Sequence, residues 1–223
     1  MVYNINMRPI IGIISNNAKN DTSVIYNDVI KAIELSGGEP LGLVSGVDSI
    51  IGENVLNNCD GFLFQGGHEI NDLQLEQLDY AYRKHKPIFG ICMGFEMIAT
   101  RFFGIGSVVR IEHLDSDSTI DHQTVVEDDE DRKRLVHKII IDEHSIMFPV
   151  FGESIYVNSR HIKTVLGAGN PFLVSATSED GLIEAIEYID EINFIMGVQF
   201  HPENLDFMKP LFDIFIKQCK KRR

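Results

Sequence analysis

Apolar residues in the first half of this chain fall in short runs that alternate with stretches at helical spacing. Residues 9–15 are apolar and largely β-branched, which predicts a short buried strand. Residues 23–35 carry Val29, Ile30 and Ile33 at helical spacing and stop at Gly37-Gly38, a pair suited to ending a helix. The same alternation predicts strands over 40–45, 60–64 and 87–91, a short helix over 49–57, and helices over 72–85 and 95–103. In the 72–85 helix, Leu75, Leu78 and Tyr82 share one face. Such alternation implies an α/β fold with a mostly parallel sheet and helices on both faces. Ligand chemistry on such a sheet gathers at the carboxyl ends of the strands.

After Gly106 the pattern changes. Residues 115–134 are polar and acidic around Asp128-Asp129-Glu130-Asp131, which predicts a solvated, mobile surface loop. Closely spaced β-like segments follow over 136–141, 154–157, 172–176, 183–188 and 194–200, and they read as antiparallel additions to the sheet. A helix over 205–219 closes the chain. Without repeats, low-complexity tracts or a convincing linker, one domain over 1–223 is the economical reading.

Composition narrows the function classes. A chain of 223 residues, 44% hydrophobic, can bury a sizeable core. Its net charge of −13 argues against nucleic acid and against an anionic membrane surface. The basic end, Lys220 to Arg223, suits the negative pole of a helix. No targeting segment and no run of transmembrane length stand out, so a cytoplasmic protein is expected. Cys59, Cys92 and Cys219 are an odd set without metal-like spacing, which fits a reducing compartment. His113, Asp115, Asp117, Asp121 and His122 match no ligand spacing and read as solvated loop, so no metal is expected.

Candidate chemistry centres on Gly90-Ile91-Cys92-Met93-Gly94. A cysteine bracketed by glycines between a strand and a helix suits a nucleophile elbow, where close backbones exclude bulk at −2 and +2. The helix N-terminus would favour thiolate. A second signal closes the 194–200 segment. His201 supplies a base at a strand end, Pro202 stiffens the turn, and Glu203 can fix the imidazole tautomer. Gly66-Gly67, at a neighbouring strand end, lets backbone N–H groups approach an oxyanion; the expected donors are Gly67 and Met93.

Residues 90–96 (Gly-Ile-Cys-Met-Gly-Phe-Glu) with 197–203 (Gly-Val-Gln-Phe-His-Pro-Glu) resemble the class I glutamine amidotransferase superfamily. More narrowly, Val157-Asn158-Ser159-Arg160-His161 and the run 180–187 (Asp-Gly-Leu-Ile-Glu-Ala-Ile-Glu) resemble peptidase family C26, whose type member hydrolyses γ-glutamyl-γ-aminobutyrate. The resemblance spans residues 9–211. It implies a flavodoxin-like three-layer sandwich and a Cys92-His201-Glu203 triad. It also implies hydrolysis of a γ-glutamyl amide through a thioester, without metal or organic cofactor. Gly66, Glu96, Asn158, Ser159 and His161 are the candidate substrate contacts; His161 reads equally as a turn residue.

Three departures fall near the substrate. The usual Gly-Gly-x-Asp loop is Gly66-Gly67-His68-Glu69, the usual His-Gln after His161 is Ile162-Lys163, and an elbow-helix position that is often Gln is Glu96. Two other functions compete with a stand-alone hydrolase: a glutaminase subunit feeding ammonia to a separate synthase, and a non-catalytic binding protein on the same fold. The oligomeric state stays open, a homodimer included.

Overall fold

A strand covered on both faces must be apolar at successive positions, and the runs near Ile11, Phe62 and Ile88 satisfy that demand. The computed structural model describes residues 7–18, 22–44, 51–114 and 120–221. Its first half gives β1 (Ile10–Ile14), a small hairpin of β2 (Asn16–Ala18) and β3 (Thr22–Val24), α1 (Asn27–Leu35), β4 (Glu39–Leu43), α2 (Glu53–Leu56), β5 (Gly61–Phe64), α3 (Asp72–Arg83), β6 (Ile88–Ile91) and α4 (Met93–Phe103). The second half gives β7 (Val108–Arg110), α5 (Asp129–Lys133), β8 (His137–Ile141), α6 (Phe148–Phe151), β9 (Ser154–Val157), β10 (Lys163–Val165), β11 (Leu173–Ser178), β12 (Ile183–Ile189), β13 (Phe194–Val198) and α7 (Lys209–Lys221).

One nine-stranded sheet runs β4-β1-β5-β6-β13-β12-β11-β8-β9. Its first five strands pair in parallel. In chain order they lie second, first, third, fourth, fifth, which is the flavodoxin-like arrangement. The remaining four pair antiparallel, as the spacing of the later segments predicts. On one face Val29 and Ile33 of α1 and Phe212 and Phe215 of α7 pack against Ile11, Ile13 and Phe89. On the other, Leu78 and Ala81 of α3 and Ile98 of α4 meet Phe62, Phe64 and Ile88. Each fully buried Ile or Phe side chain is worth roughly 1.5–3 kcal/mol. A one-residue slip would send the whole set to the wrong face, so these rows fix the register.

Some boundaries differ from the sequence reading. The helix expected from residue 23 starts at Asn27, because Gln65 captures the backbone before it. The Tyr26 N–H donates to Gln65 Oε1 at 3.0 Å, and Gln65 Nε2 donates to the Val24 carbonyl at 2.8 Å. The closing helix begins at Lys209, after two short 3₁₀ turns over 202–208. An unanticipated antiparallel pair, β7 with β10, is three residues long on each side, too short to show a period. The expectations for Ser45, residues 49–50, residues 115–119 and residues 222–223 lie outside the described residues.

Candidate active site

β6 ends at Ile91 and α4 begins at Met93, which leaves Cys92 alone in the turn with φ 51° and ψ −105°. A non-glycine residue held there costs about 1–3 kcal/mol and persists only where its surroundings enforce it. Those surroundings are backbone packed on backbone. A Cβ on Gly94 would lie 2.0 Å from the Phe64 carbonyl oxygen, and one on Gly90 would lie 2.5 Å from that of Gly94. The Cys92 N–H donates to the Val198 carbonyl at 2.8 Å and ties the elbow to β13.

β13 runs parallel to β6 with Val198 opposite Ile91, so the residues beyond both strands emerge at one sheet edge. His201 Nδ1 lies 2.8 Å from Glu203 Oε1. With the Nδ1 proton donated to that carboxylate, Nε2 carries the lone pair. Asn158 grips the backbone of His201 from both sides: its Oδ1 accepts from the His201 N–H, and its Nδ2 donates to the His201 carbonyl, each at 3.0 Å. A Cβ on Gly66 would meet His201 Cε1 at 2.8 Å and Cys92 Cβ at 3.5 Å, so glycine seats this loop against both side chains. Asn16 Nδ2 donates to the Gly66 carbonyl, and Gln74 Nε2 in turn donates to Asn16 Oδ1 at 3.2 Å. Gly66, Gly67, Cys92, His201 and Glu203 line one cavity of about 270 Å³, together with His68, Arg132 and Arg160.

Burial, then the nearby Glu96 and Glu203 carboxylates, push the Cys92 thiol well above the usual range, against the Met93 backbone N–H and Arg160. Burial also holds His201 below its ordinary value, with Glu203 pulling the other way. For Glu203 burial works against ionisation, but His201 and Arg160 outweigh it and bring the carboxyl below its ordinary value. Both shifts favour the neutral thiol and the neutral imidazole over a thiolate–imidazolium pair. The thiolate expected from the helix N-terminus is overridden by desolvation. A neutral pair is suited to attack in which the base removes the thiol proton during the step.

The other expected substrate contacts lie outside the cavity lining, each with protein partners. Glu96 is 4% exposed and pairs with Lys163 Nζ at 3.2 Å. Asn158 is spent on His201, as above. Ser159 is fully buried and donates to the His122 carbonyl at 2.9 Å. His161 is buried with Nδ1 2.8 Å from the Lys163 carbonyl. The described part of the acidic segment also departs from a solvated loop: His122 is 3% exposed, and Val126 and Arg132 line the cavity. Cys59 and Cys219 are buried in the two cores. Sequence reasoning missed Asn16, Gln74, Arg132 and Arg160. Of these, Asn16 carried a signal, since it lies just beyond β1 at the carboxyl edge.

Comparison with known proteins places the chain in a family. The family model of peptidase C26 matches residues 71–203, a span that holds Cys92, His201 and Glu203. Gamma-glutamyl-gamma-aminobutyrate hydrolase PuuD of Escherichia coli (strain K12) is 24% identical over 249 residues, covering 97% of this chain and 96% of that protein. The CTP synthase of Thermosipho africanus (strain TCF52B) is 25% identical over 225 residues, covering 86% of this chain and 42% of the synthase. In fold, the glutaminase domain of Trypanosoma brucei CTPS with bound acivicin aligns at a TM-score of 0.71 and 17% identity, over 96% of this chain and 95% of that one. The family match spans more than half of the chain, and the chain belongs to the peptidase C26 family of the class I glutamine amidotransferase superfamily.

Proposed function

We propose that this protein hydrolyses a γ-glutamyl amide through a thioester on Cys92. The observation that carries the reading is the convergence of the strained Cys92 elbow, the His201–Glu203 pair and the Gly66-Gly67 loop on one cavity. Sγ attacks the γ-carbonyl carbon while its proton passes to His201 Nε2. The backbone N–H groups of Gly67 and Met93 receive the oxyanion; loss of one such donor typically costs about 10²–10³ in rate. His201 then protonates the departing amine as the C–N bond breaks. Water attacks the thioester, giving a proton to His201, and glutamate leaves as Sγ is reprotonated. Glu203 holds the imidazole tautomer throughout. Arg132 and Arg160 bring positive charge into the cavity of a chain with net charge −13, which suits the α-carboxylate of a glutamyl head. A cytoplasmic setting fits three free cysteines.

The match to a CTP synthase favours a second reading, a glutaminase that passes ammonia to a separate synthase. A hydrolysis screen separates the two. Purified protein is offered glutamine, γ-glutamyl-γ-aminobutyrate, other γ-glutamyl amines and folate polyglutamate, with glutamate release measured. One γ-glutamyl amide turned over well above glutamine supports the hydrolase. Weak glutamine turnover that rises on adding a synthase supports the second reading. Cys92→Ala is expected to lower the rate by about 10⁴-fold or more. No turnover and no glutamyl adduct on Cys92 with any substrate would overturn both.

A further inference from the structure

Four ligand-type side chains converge beside the segment that holds His201. His122 precedes α5, His137 opens β8, His161 follows β9 and Glu184 lies in β12. Each offers a donor atom within 4.8 Å of the other three. All four are buried, at 3%, 2%, 3% and 0% exposure. His122 Nδ1 lies 3.2 Å from His161 Nε2. Glu184 Oε1 lies 3.4 Å from His161 Nε2, 3.5 Å from His137 Nε2 and 3.7 Å from His122 Nδ1. A tetrahedral ion with metal–nitrogen bonds of about 2.0–2.1 Å holds its donors about 3.3–3.4 Å apart.

The outer faces of the rings strengthen the case. His122 Nε2 meets Asp180 Oδ2 at 2.9 Å, and His161 Nδ1 meets the Lys163 carbonyl at 2.8 Å. A carboxylate and a carbonyl only accept, so both rings donate outward. Their inner nitrogens, His122 Nδ1 and His161 Nε2, face each other beside the Glu184 carboxylate, and in neutral rings they would offer lone pairs to an ion. Neither Glu184 oxygen and neither His137 nitrogen has a hydrogen-bond partner. Among the described residues, the ion-pair contacts of Glu184 are with histidines only. Polar groups buried this deeply are normally satisfied, and a cation at their centre would engage the Glu184 carboxylate and one nitrogen of each ring. A carboxylate or carbonyl behind a ligating imidazole is also the usual outer shell of a metal site.

We propose that His122, His137, His161 and Glu184 form a structural binding site for a divalent first-row metal ion, zinc by preference. Three imidazoles and one carboxylate suit a tetrahedral borderline ion, whereas magnesium and calcium require mostly oxygen donors. With all four positions filled by protein, the ion clamps rather than catalyses. It fastens β8, β12, the residues before α5 and residues 158–161. Asn158 of that last segment holds His201, and Arg160 reaches within 4.0 Å of Glu203. The proposal stands independently of the hydrolytic reading.

The test is metal content and metal titration of the purified full chain. One equivalent of zinc per chain is expected by elemental analysis, and the metal-free protein should take up one Co²⁺ with the intense visible absorption of a four-coordinate centre. Asp180→Asn, behind His122, should weaken the apparent affinity about 10–100-fold. Glu184→Gln should abolish stoichiometric binding. Cys92→Ala and the exposed His144→Ala should bind as wild type does. Failure of the wild type to bind Zn²⁺ or Co²⁺ stoichiometrically would overturn the site in favour of an imidazolium–carboxylate cluster. Binding lost in Cys92→Ala, or unweakened in a folded Asp180→Asn, would overturn it as well.

Discussion

Two buried imidazole–carboxylate clusters share this sheet and are built in opposite ways. At the carboxyl edge of the parallel strands, His201 and Glu203 sit two residues apart, are bonded at 2.8 Å, and border an open cavity with Cys92. Among the antiparallel strands, three histidines surround Glu184, each with a ring nitrogen 3.4–3.7 Å from its Oε1. The first cluster is set by backbone: a strained turn, close glycines and adjacent strand ends. The second is set by side chains from four separate elements. A site built by backbone turns can stay open to a ligand, because its geometry does not depend on being filled. A site built by converging side chains asks for something at its centre.

Among substitutions that keep the nucleophile, the largest effect is expected from Glu203→Gln. It keeps the shape but no longer fixes the His201 tautomer or stabilises its cation, so kcat/KM on a substrate turned over by wild type should fall about 10²–10⁴-fold. The neutral imidazole is the working form, and burial holds His201 below its ordinary value of 6.5 while Glu203 pulls it up. The wild-type acid limb of kcat/KM should therefore lie below pH 6.5, and the variant's limb should move lower still. A limb that moves upward would show that it does not report His201.

Asn158→Ala addresses the seam between the clusters. Asn158 is 1% exposed, and its two bonds to His201 would be lost together. An activity loss of about 10–100-fold is expected, equivalent to about 1.4–2.7 kcal/mol. Metal content should not change, since Asn158 is not among the four ligands. Activity kept with metal lost would erase the division between the two regions.

The same division decides what was legible in the sequence. The elbow and His201-Pro202-Glu203 are read locally, because glycine spacing and a strand end fix them within a few residues. The parallel half of the sheet is legible for a similar reason, since alternating strand and helix runs imply parallel crossovers. His122 reads as a solvated loop residue because its neighbours are polar; what buries it is Asp180, 58 positions away, together with Glu184. Glu96 reads as a substrate contact because its partner Lys163 is 67 positions distant. Arg132 stands in an acidic stretch, and only the fold turns it toward the cavity. Long-range pairing of this kind leaves no period and no local motif.

The sharpest internal control compares two buried carboxylates in one strand. Glu187 lies three residues after Glu184 in β12, is 6% exposed, and accepts from the Ile146 N–H at 3.1 Å. Burial raises its carboxyl from 4.5 to about 7, with the Ile146 and Ser175 hydrogen bonds opposing. Between those values the unfolded chain gives up the proton while the folded chain retains it, so stability falls as pH rises from 4.5 through about 7 and then levels. The full loss is roughly 3 kcal/mol at about 1.4 kcal/mol per pKa unit. Glu187→Gln cannot ionise. Its melting temperature relative to wild type should climb by several degrees between pH 5 and pH 8. Glu184→Gln should instead weaken the protein at both values when zinc is supplied, because it removes one of the four proposed ligands. A Glu187→Gln difference that does not change with pH would mean that burial does not hold the Glu187 proton, and the contrast within β12 would fail.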